Sequence, residues 1–278
     1  MKQWLFEQNL TGVSKRFGVA LLSGFIATVT VSCSNDKDVL VTEIGVSPAT
    51  SPVPNPSTAK QFYAQGQYKH IQGDTQGAIA AYTKAISLDS DFVEAYNGRG
   101  LVQFDTGDRQ GAIADYNQAL RISPDNAQAY NNRGNARAAQ GDISGAISDY
   151  DQAINLDANY AEAYNNRGNA RAAQGNRNEA ISDYTEAIRI NPNYAVAYNN
   201  RGNARAAQGD QEGAISDYDQ AIRINPNFGA AYNNRGNARA QKDKDGALAD
   251  LQRAAEIFQE QNNQQLYKQV MENVKEIQ

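Results

Sequence analysis

The chain has one cysteine and one histidine in 278 residues. A disulfide framework within the chain and a Cys/His zinc site are both excluded by counting. It also lacks a block of like charge: 26 Lys and Arg stand against 31 Asp and Glu, and Arg and Asp are interspersed along the chain. Nucleic-acid binding needs a basic stripe, so nucleic acid is not the expected partner. No nucleophile with a paired base, metal-ligand cluster or phosphate-cradling loop can be found, and His70 alone supports no catalytic role. The expectation is a protein that is not an enzyme and takes no cofactor. Apolar content is a modest 41%, much of it Ala and Tyr rather than Leu and Val. That suits a thin continuous core better than a compact central one.

One long apolar run is present. Lys15 and Arg16 precede Gly18 to Val31, a stretch without charge, which is the layout of a secretory signal. Extended to Phe17–Cys33 it is borderline for a membrane span, which needs about 20 apolar residues. Cys33 follows Thr30-Val31-Ser32 and resembles the bacterial lipobox, in which the Cys is lipidated after cleavage. The resemblance departs from the motif at Thr30, where a large aliphatic residue is usual, and in the length of the leader. Residues 1–33 are thus expected to export the chain or anchor it to a membrane in the cell envelope. Cys33 is the candidate lipidation site, and an uncleaved anchor or an ordinary cleaved signal remain open. Residues 34–58 hold four of the seven prolines, among Ser and Thr, a composition for an extended, semi-rigid tether.

From there the chain repeats itself. Ala-Tyr-Asn-Asn-Arg-Gly-Asn-Ala-Arg occurs in full four times, beginning at Ala129, Ala163, Ala197 and Ala231, always 34 residues apart. A weaker copy begins at Ala95. Fixed register of this kind means a stack of near-identical units. In the unit from Ala127 to Tyr160, Tyr130 and Gly134 share one face of a first helix. Gly141-Asp142 can close that helix and cap the next. Ala146, Tyr150, Ala153 and Ile154 then run at helical spacing along a second helix. Asp157, or Pro124, Pro192 and Pro226 elsewhere, ends the unit. One helix hairpin cannot bury its apolar faces alone, but several stacked hairpins can.

These units resemble tetratricopeptide repeats. Tyr164, Gly168, Ala180, Tyr184, Ala187 and Pro192 match the family pattern in the fourth unit, and six units begin at Ala59, Val93, Ala127, Ala161, Ala195 and Gly229. The first is divergent, and the sixth is one residue short near Gln241. The resemblance implies an all-α, right-handed superhelical solenoid of helix hairpins over residues 59–261. Leu266, Val270, Val274 and Ile277 form one stripe in residues 262–278, as a terminal capping helix requires. The family usually has Leu just before the Gly and Tyr three residues after it. Here those places hold Arg133 and Arg137, Arg167 and Arg171, Arg201 and Arg205, Arg235 and Arg239. Asp115, Asp149, Asp183, Asp217 and Asp250 recur in step on the second helices. An ion-pair ladder between packed helices is favoured over a cationic groove for acidic ligands.

In this family the first helices line the concave surface where ligands lie. The resemblance therefore implies that Asn131, Asn132 and Asn135 face that way partly or wholly, with Asn165, Asn166 and Asn169; Asn199, Asn200 and Asn203; and Asn233, Asn234 and Asn237. Asn132, Asn166, Asn200 and Asn234, two residues before each Gly, match the asparagine ladder of the O-GlcNAc transferase repeats, which grips an extended peptide backbone. An amide offers both donor and acceptor, so it can pair with a peptide group whatever the side chain. The ladder stops at Gly98 and Ala64, and His70, Ile71, Leu101 and Phe104 make that end more apolar. The Lys places of the chaperone carboxylate clamp hold Asn or unrelated residues, with Lys60 the exception. The expected function is a non-catalytic scaffold that binds an extended peptide segment of a protein partner. The alternative is an assembly factor acting by self-association or convex-face contacts in a membrane complex.

Overall fold

The computed structural model describes residues 51–277. Cys33 and the apolar run before it lie outside the described residues, as does the first part of the tether. Residues 59–277 form thirteen helices. Six hairpins come first: α1 (Ala59–Ile71) with α2 (Thr75–Leu88), α3 (Val93–Asp105) with α4 (Arg109–Ile122), and α5 (Ala127–Gln140) with α6 (Ile143–Leu156). The next three are α7 (Ala161–Ala173) with α8 (Arg177–Ile190), α9 (Ala195–Ala207) with α10 (Gln211–Ile224), and α11 (Gly229–Arg239) with α12 (Lys244–Glu260). A last helix, α13 (Gln264–Ile277), closes the stack. The first helices start where the repeat register places them.

The unit of α5 and α6 shows why the chain folds this way locally. The Asn126 side chain accepts the Ala129 N–H at 2.9 Å and so caps α5. Gly141 ends that helix at φ 91°, a left-handed conformation that a Cβ would strain. Asp142 then accepts the Gly145 N–H at 2.9 Å and starts α6. The same Gly-Asp turn recurs at Gly73-Asp74, Gly107-Asp108 and Gly209-Asp210. Within the hairpin the ring of Tyr150 lies on Gly134, where a Cβ would come within 2.6 Å of it. Buried Ala129, Ala136, Ala146 and Ala153 complete a core whose small residues let the helices approach closely.

Each second helix packs on the first helix of the next unit, and successive first helices also touch one another. Successive second helices make no comparable contact. The stack is therefore closed on the side of α1, α3, α5, α7, α9 and α11 and splayed on the other. That makes the first helices the concave face of the solenoid.

The arginines brace this arrangement. Arg133 donates through Nε and Nη2 to Asp149 at 3.0 and 2.6 Å, and Arg137 adds a third bond at 2.8 Å. Asp183, Asp217 and Asp250 each hold two arginines in the same way. In the second unit Arg99 holds Asp115, and Gln103 stands in the place of the second arginine. The remaining Nη1 of the first arginine reaches back to the preceding unit, to Thr83, Asn117, Asp151, Thr185 or Asp219. Its guanidinium also lies 5.3–5.8 Å from the ring of the Tyr three residues before it. These guanidinium groups are committed to carboxylates, which is the ladder rather than the cationic groove. In the sixth unit the Arg235–Asp250 separation is 15 residues instead of 16, the one-residue deletion seen in the sequence.

At the C-terminal end, Val270 and Val274 of α13 are buried against Leu251, Ala255 and Phe258. Tyr267, Met271 and Ile277 border that contact. Leu266 shares the stripe in sequence but stays exposed, because it lies in the first turn beyond the end of the packed surface.

Candidate functional site

The asparagines of the first helices fall into three structural classes. Asn131, Asn165 and Asn199 are only 3%, 1% and 5% exposed. They point into the seam between units and do not offer their surface to the groove. Asn132, Asn166, Asn200 and Asn234 are half-buried on the concave side of that seam. Asn166 Nδ2 donates to Asn131 Oδ1 at 3.1 Å, Asn200 Nδ2 to Asn165 Oδ1 at 3.0 Å, and Asn234 Nδ2 to Asn199 Oδ1 at 2.9 Å. Asn135, Asn169 and Asn203 accept the hydroxyls of Tyr150, Tyr184 and Tyr218, each at 2.8 Å. Asn237 has no such hydroxyl opposite it, because Leu251 replaces the Tyr, and it is exposed.

The rows are thus a seam of amide bonds running from first helix to first helix. Each link contributes about 1 kcal/mol, which offsets the roughly 0.5 kcal/mol that Asn costs in a helix relative to Ala. Asn273 of α13 closes the seam by donating to Asn233 Oδ1 at 3.2 Å. Repeat spacing could not have found Asn273, since it lies outside the period. At the other end, a Cβ on Gly98 would lie 2.9 Å from the ring of Tyr82, so a seam amide does not fit there.

The seam does not use up the groove-side amides. An Asn side chain has two N–H donors and two acceptor lone pairs. Asn166, Asn200 and Asn234 each turn amide donors to the seam, while their Oδ1 atoms receive at most a long contact of 3.4–3.5 Å from the neighbouring Asn. Each therefore keeps acceptor capacity on the groove side. Around them Ala139, Ala173 and Ala207 leave the floor low and uncharged. Asn135, Ala138, Tyr150, Asn166, Asn169 and Ala170 outline a small hollow between the third and fourth units.

The N-terminal end of the groove is built differently. His70 Nε2 meets Asp105 at 3.1 Å and ties α1 to α3. Phe104 is half-buried and packs against Ala112, Tyr116 and Ala136. Gln67 donates to the Tyr63 hydroxyl at 3.1 Å. Among the described residues no group of His, Cys, Asp and Glu could hold a metal ion, and no helix is long and apolar enough to cross a membrane.

The TPR repeat family model matches at residues 59–107, 102–141, 134–175, 168–209 and 202–243, which together run from the first hairpin through the first helix of the sixth. The chain is a tetratricopeptide-repeat protein. Solved structures agree. MamA is 29% identical over 58% of this chain and 94% of its own, with a TM-score of 0.53. A tetratricopeptide-repeat protein from Parabacteroides merdae is 22% identical over 78% of this chain and 86% of its own, with a TM-score of 0.63. YrrB, described as a TPR protein with an unusual peptide-binding site, is 21% identical over 70% of this chain and all of its own, at a TM-score of 0.52. The two lower identities speak for the fold alone. No curated protein matches the chain. Repeats of this family are interaction modules, and the protein is a protein-interaction scaffold.

Proposed function

We propose that this tetratricopeptide-repeat protein holds an extended, uncharged segment of a partner protein along its concave face, gripping the backbone through Asn132, Asn166, Asn200 and Asn234. The observation that carries this reading is the residual hydrogen-bonding capacity of these amides at a fixed 34-residue spacing. With their Nδ2 donors turned to the seam, the Oδ1 atoms of Asn166, Asn200 and Asn234 can still accept backbone N–H groups without regard to side chain. The buried Asn131, Asn165 and Asn199 support the row by fixing its orientation. YrrB is an instance of the same fold described with a peptide-binding site. We further propose that the scaffold acts at a membrane of the cell envelope, held by the apolar segment and Cys33 and spaced from it by the Pro-rich tether.

The test is the combined substitution of Asn132, Asn166, Asn200 and Asn234 by Ala. Loss of partner capture in a crosslinked pull-down, with far-UV circular dichroism retained, is the expected result. Unchanged capture by that variant would rule out the Asn row as the grip. For the anchor, Cys33→Ala is expected to release the protein from the membrane fraction. A variant that still sediments with membranes is held by the apolar segment and not by a lipid. Self-association, the competing use of the scaffold, shows as a mass in light scattering that rises with protein concentration.

A further inference from the structure

The groove repeats, so the amide row by itself lets a bound segment settle in several registers one repeat apart. The hairpins differ in the residue that opens the second helix. It is Thr75, Arg109, Arg177, Gln211 or Lys244 in five of them and Ile143 in the third. Ile143 is half-buried and packs with Ala138 and Ile147 against Ala146, Tyr150 and Ala170. It lines the hollow between the third and fourth hairpins together with Ala138, Tyr150 and Ala170, and Asn166 of the ladder is another of its walls. The amides at this hollow already have partners: Asn135 and Asn169 accept tyrosine hydroxyls, and Asn166 donates to Asn131.

The corresponding places on either side are filled or charged. In the second hairpin Phe104 stands where the third has Ala138, and exposed Arg109 stands for Ile143. In the fourth, Ala172 corresponds to Ala138, but exposed Arg177 stands for Ile143. The third hairpin alone combines a small residue with an apolar one at these two places.

We propose that Ile143 is the specificity-determining residue of the groove, and that its hollow takes one short aliphatic side chain, Val or Ile, of the bound segment. This rests on the groove reading above and adds choice of register to grip. Asn166 belongs both to the ladder and to the hollow, so a segment bonded at Asn166 passes over it. The hollow has room for about one methyl group, so a branched aliphatic tip fits where a ring does not. Its walls carry no charge, and a carboxylate or ammonium seated there would lose its water without a counter-ion. Arg109 and Arg177, one repeat away on either side, disfavour a basic residue beside that side chain.

A library of acetylated and amidated decapeptides made only of uncharged residues, screened on the full-length chain, provides the probe. The strongest binder, labelled for fluorescence polarisation, is expected to carry Val or Ile at one essential position. Changing that residue to Ser should weaken binding about fivefold to tenfold. On Ile143→Arg, which gives the third hairpin the residue its neighbours fold with, the two peptides should bind alike. Arg177→Ile builds a second hollow one repeat further on. First helices lie about 8–10 Å apart and an extended chain advances about 3.3 Å per residue, so the second hollow meets a side chain about three residues along. A peptide with a second Val at that spacing should gain about fivefold on Arg177→Ile and nothing on the unchanged chain. In methyl NMR spectra the Ile143 δ1 signal should shift when the Val peptide binds. A Val-to-Ser loss that persists on Ile143→Arg, an unmoved Ile143 methyl, or no gain on Arg177→Ile overturns the role of Ile143 and leaves the groove reading standing. A library with no binder at all overturns the two together.

Discussion

Replacing Asp149 by Asn tests whether the arginine ladder holds the stack. The Asp149 side chain is 3% exposed and accepts three bonds, two from Arg133 and one from Arg137. Breaking a fully buried ion pair by removing one partner costs about 3–5 kcal/mol. Here the arginine side chains are 16% and 28% exposed, so water can reach them. Arg133 also keeps its bond to Asn117 at 2.8 Å and its place over the Tyr130 ring. The expected cost is therefore lower, about 2–3 kcal/mol, with one carbonyl oxygen still accepting. In an array of this length that is a fall in melting temperature of roughly 4–12 °C. Because each repeat contacts only its neighbours, the damage should be local. Hydrogen exchange by mass spectrometry should speed up in α5 and α6 before it does in α9 and α10. Glu186→Gln is the control, since its pair with Arg189 lies on the surface, 41% and 62% exposed, where solvent screens it and little stability is at stake. If Asp149→Asn shifts the melt no further than Glu186→Gln, the ladder contributes nothing and the reasoning fails.

Gly134→Ala puts a Cβ 2.6 Å from the Tyr150 ring and should destabilise by about 1–3 kcal/mol in a thermal melt. Gly141→Ala meets no atom within 4 Å. Its cost, about 1 kcal/mol, comes from φ 91° alone, so it should remain when Tyr150 is shortened, whereas the cost at Gly134 should fall. Burial pushes the phenols of Tyr63, Tyr82, Tyr150, Tyr184 and Tyr218 well above their ordinary value of about 10. The folded state thus holds these protons more tightly than the unfolded chain. Their contribution is complete below about pH 10 and is lost as the pH rises beyond it. Urea midpoints should fall above that pH, and Tyr184→Phe should flatten the slope. Val270→Asp, at the contact of α13 with Leu251 and Phe258, should expose that apolar end and cause aggregation detectable by light scattering.

Much of the fold was legible because the repeat period carries it. Gly134 and Tyr150, Gly141 and Asp142, and the small residues at Ala146 and Ala153 recur at fixed offsets, and each has one geometric job that its type reveals. The arginine ladder was also legible, since Arg133 and Arg137 lie four apart with a carboxylate in step on the facing helix. The candidate site was only half legible. Asn131 and Asn132 are adjacent and identical, and helical periodicity places both near the concave side. Their fates divide by about 100° of rotation around α5, which buries one in the seam and leaves the other at its edge. Nothing in the repeat marks Asn273 as the closing link, because α13 lies outside the period.

By itself the sequence determined the hairpin unit, the six starting points, the capping helix and the pairing of charges. All of these depend on local spacing or on near neighbours. Only the tertiary structure decided which amides face one another, because that depends on how far each first helix turns against the next. It made the Asn rows a structural seam as well as a candidate grip. It also showed where the seam stops: Asn97 Oδ1 is left without a partner, and Gly98 leaves room for the Tyr82 ring.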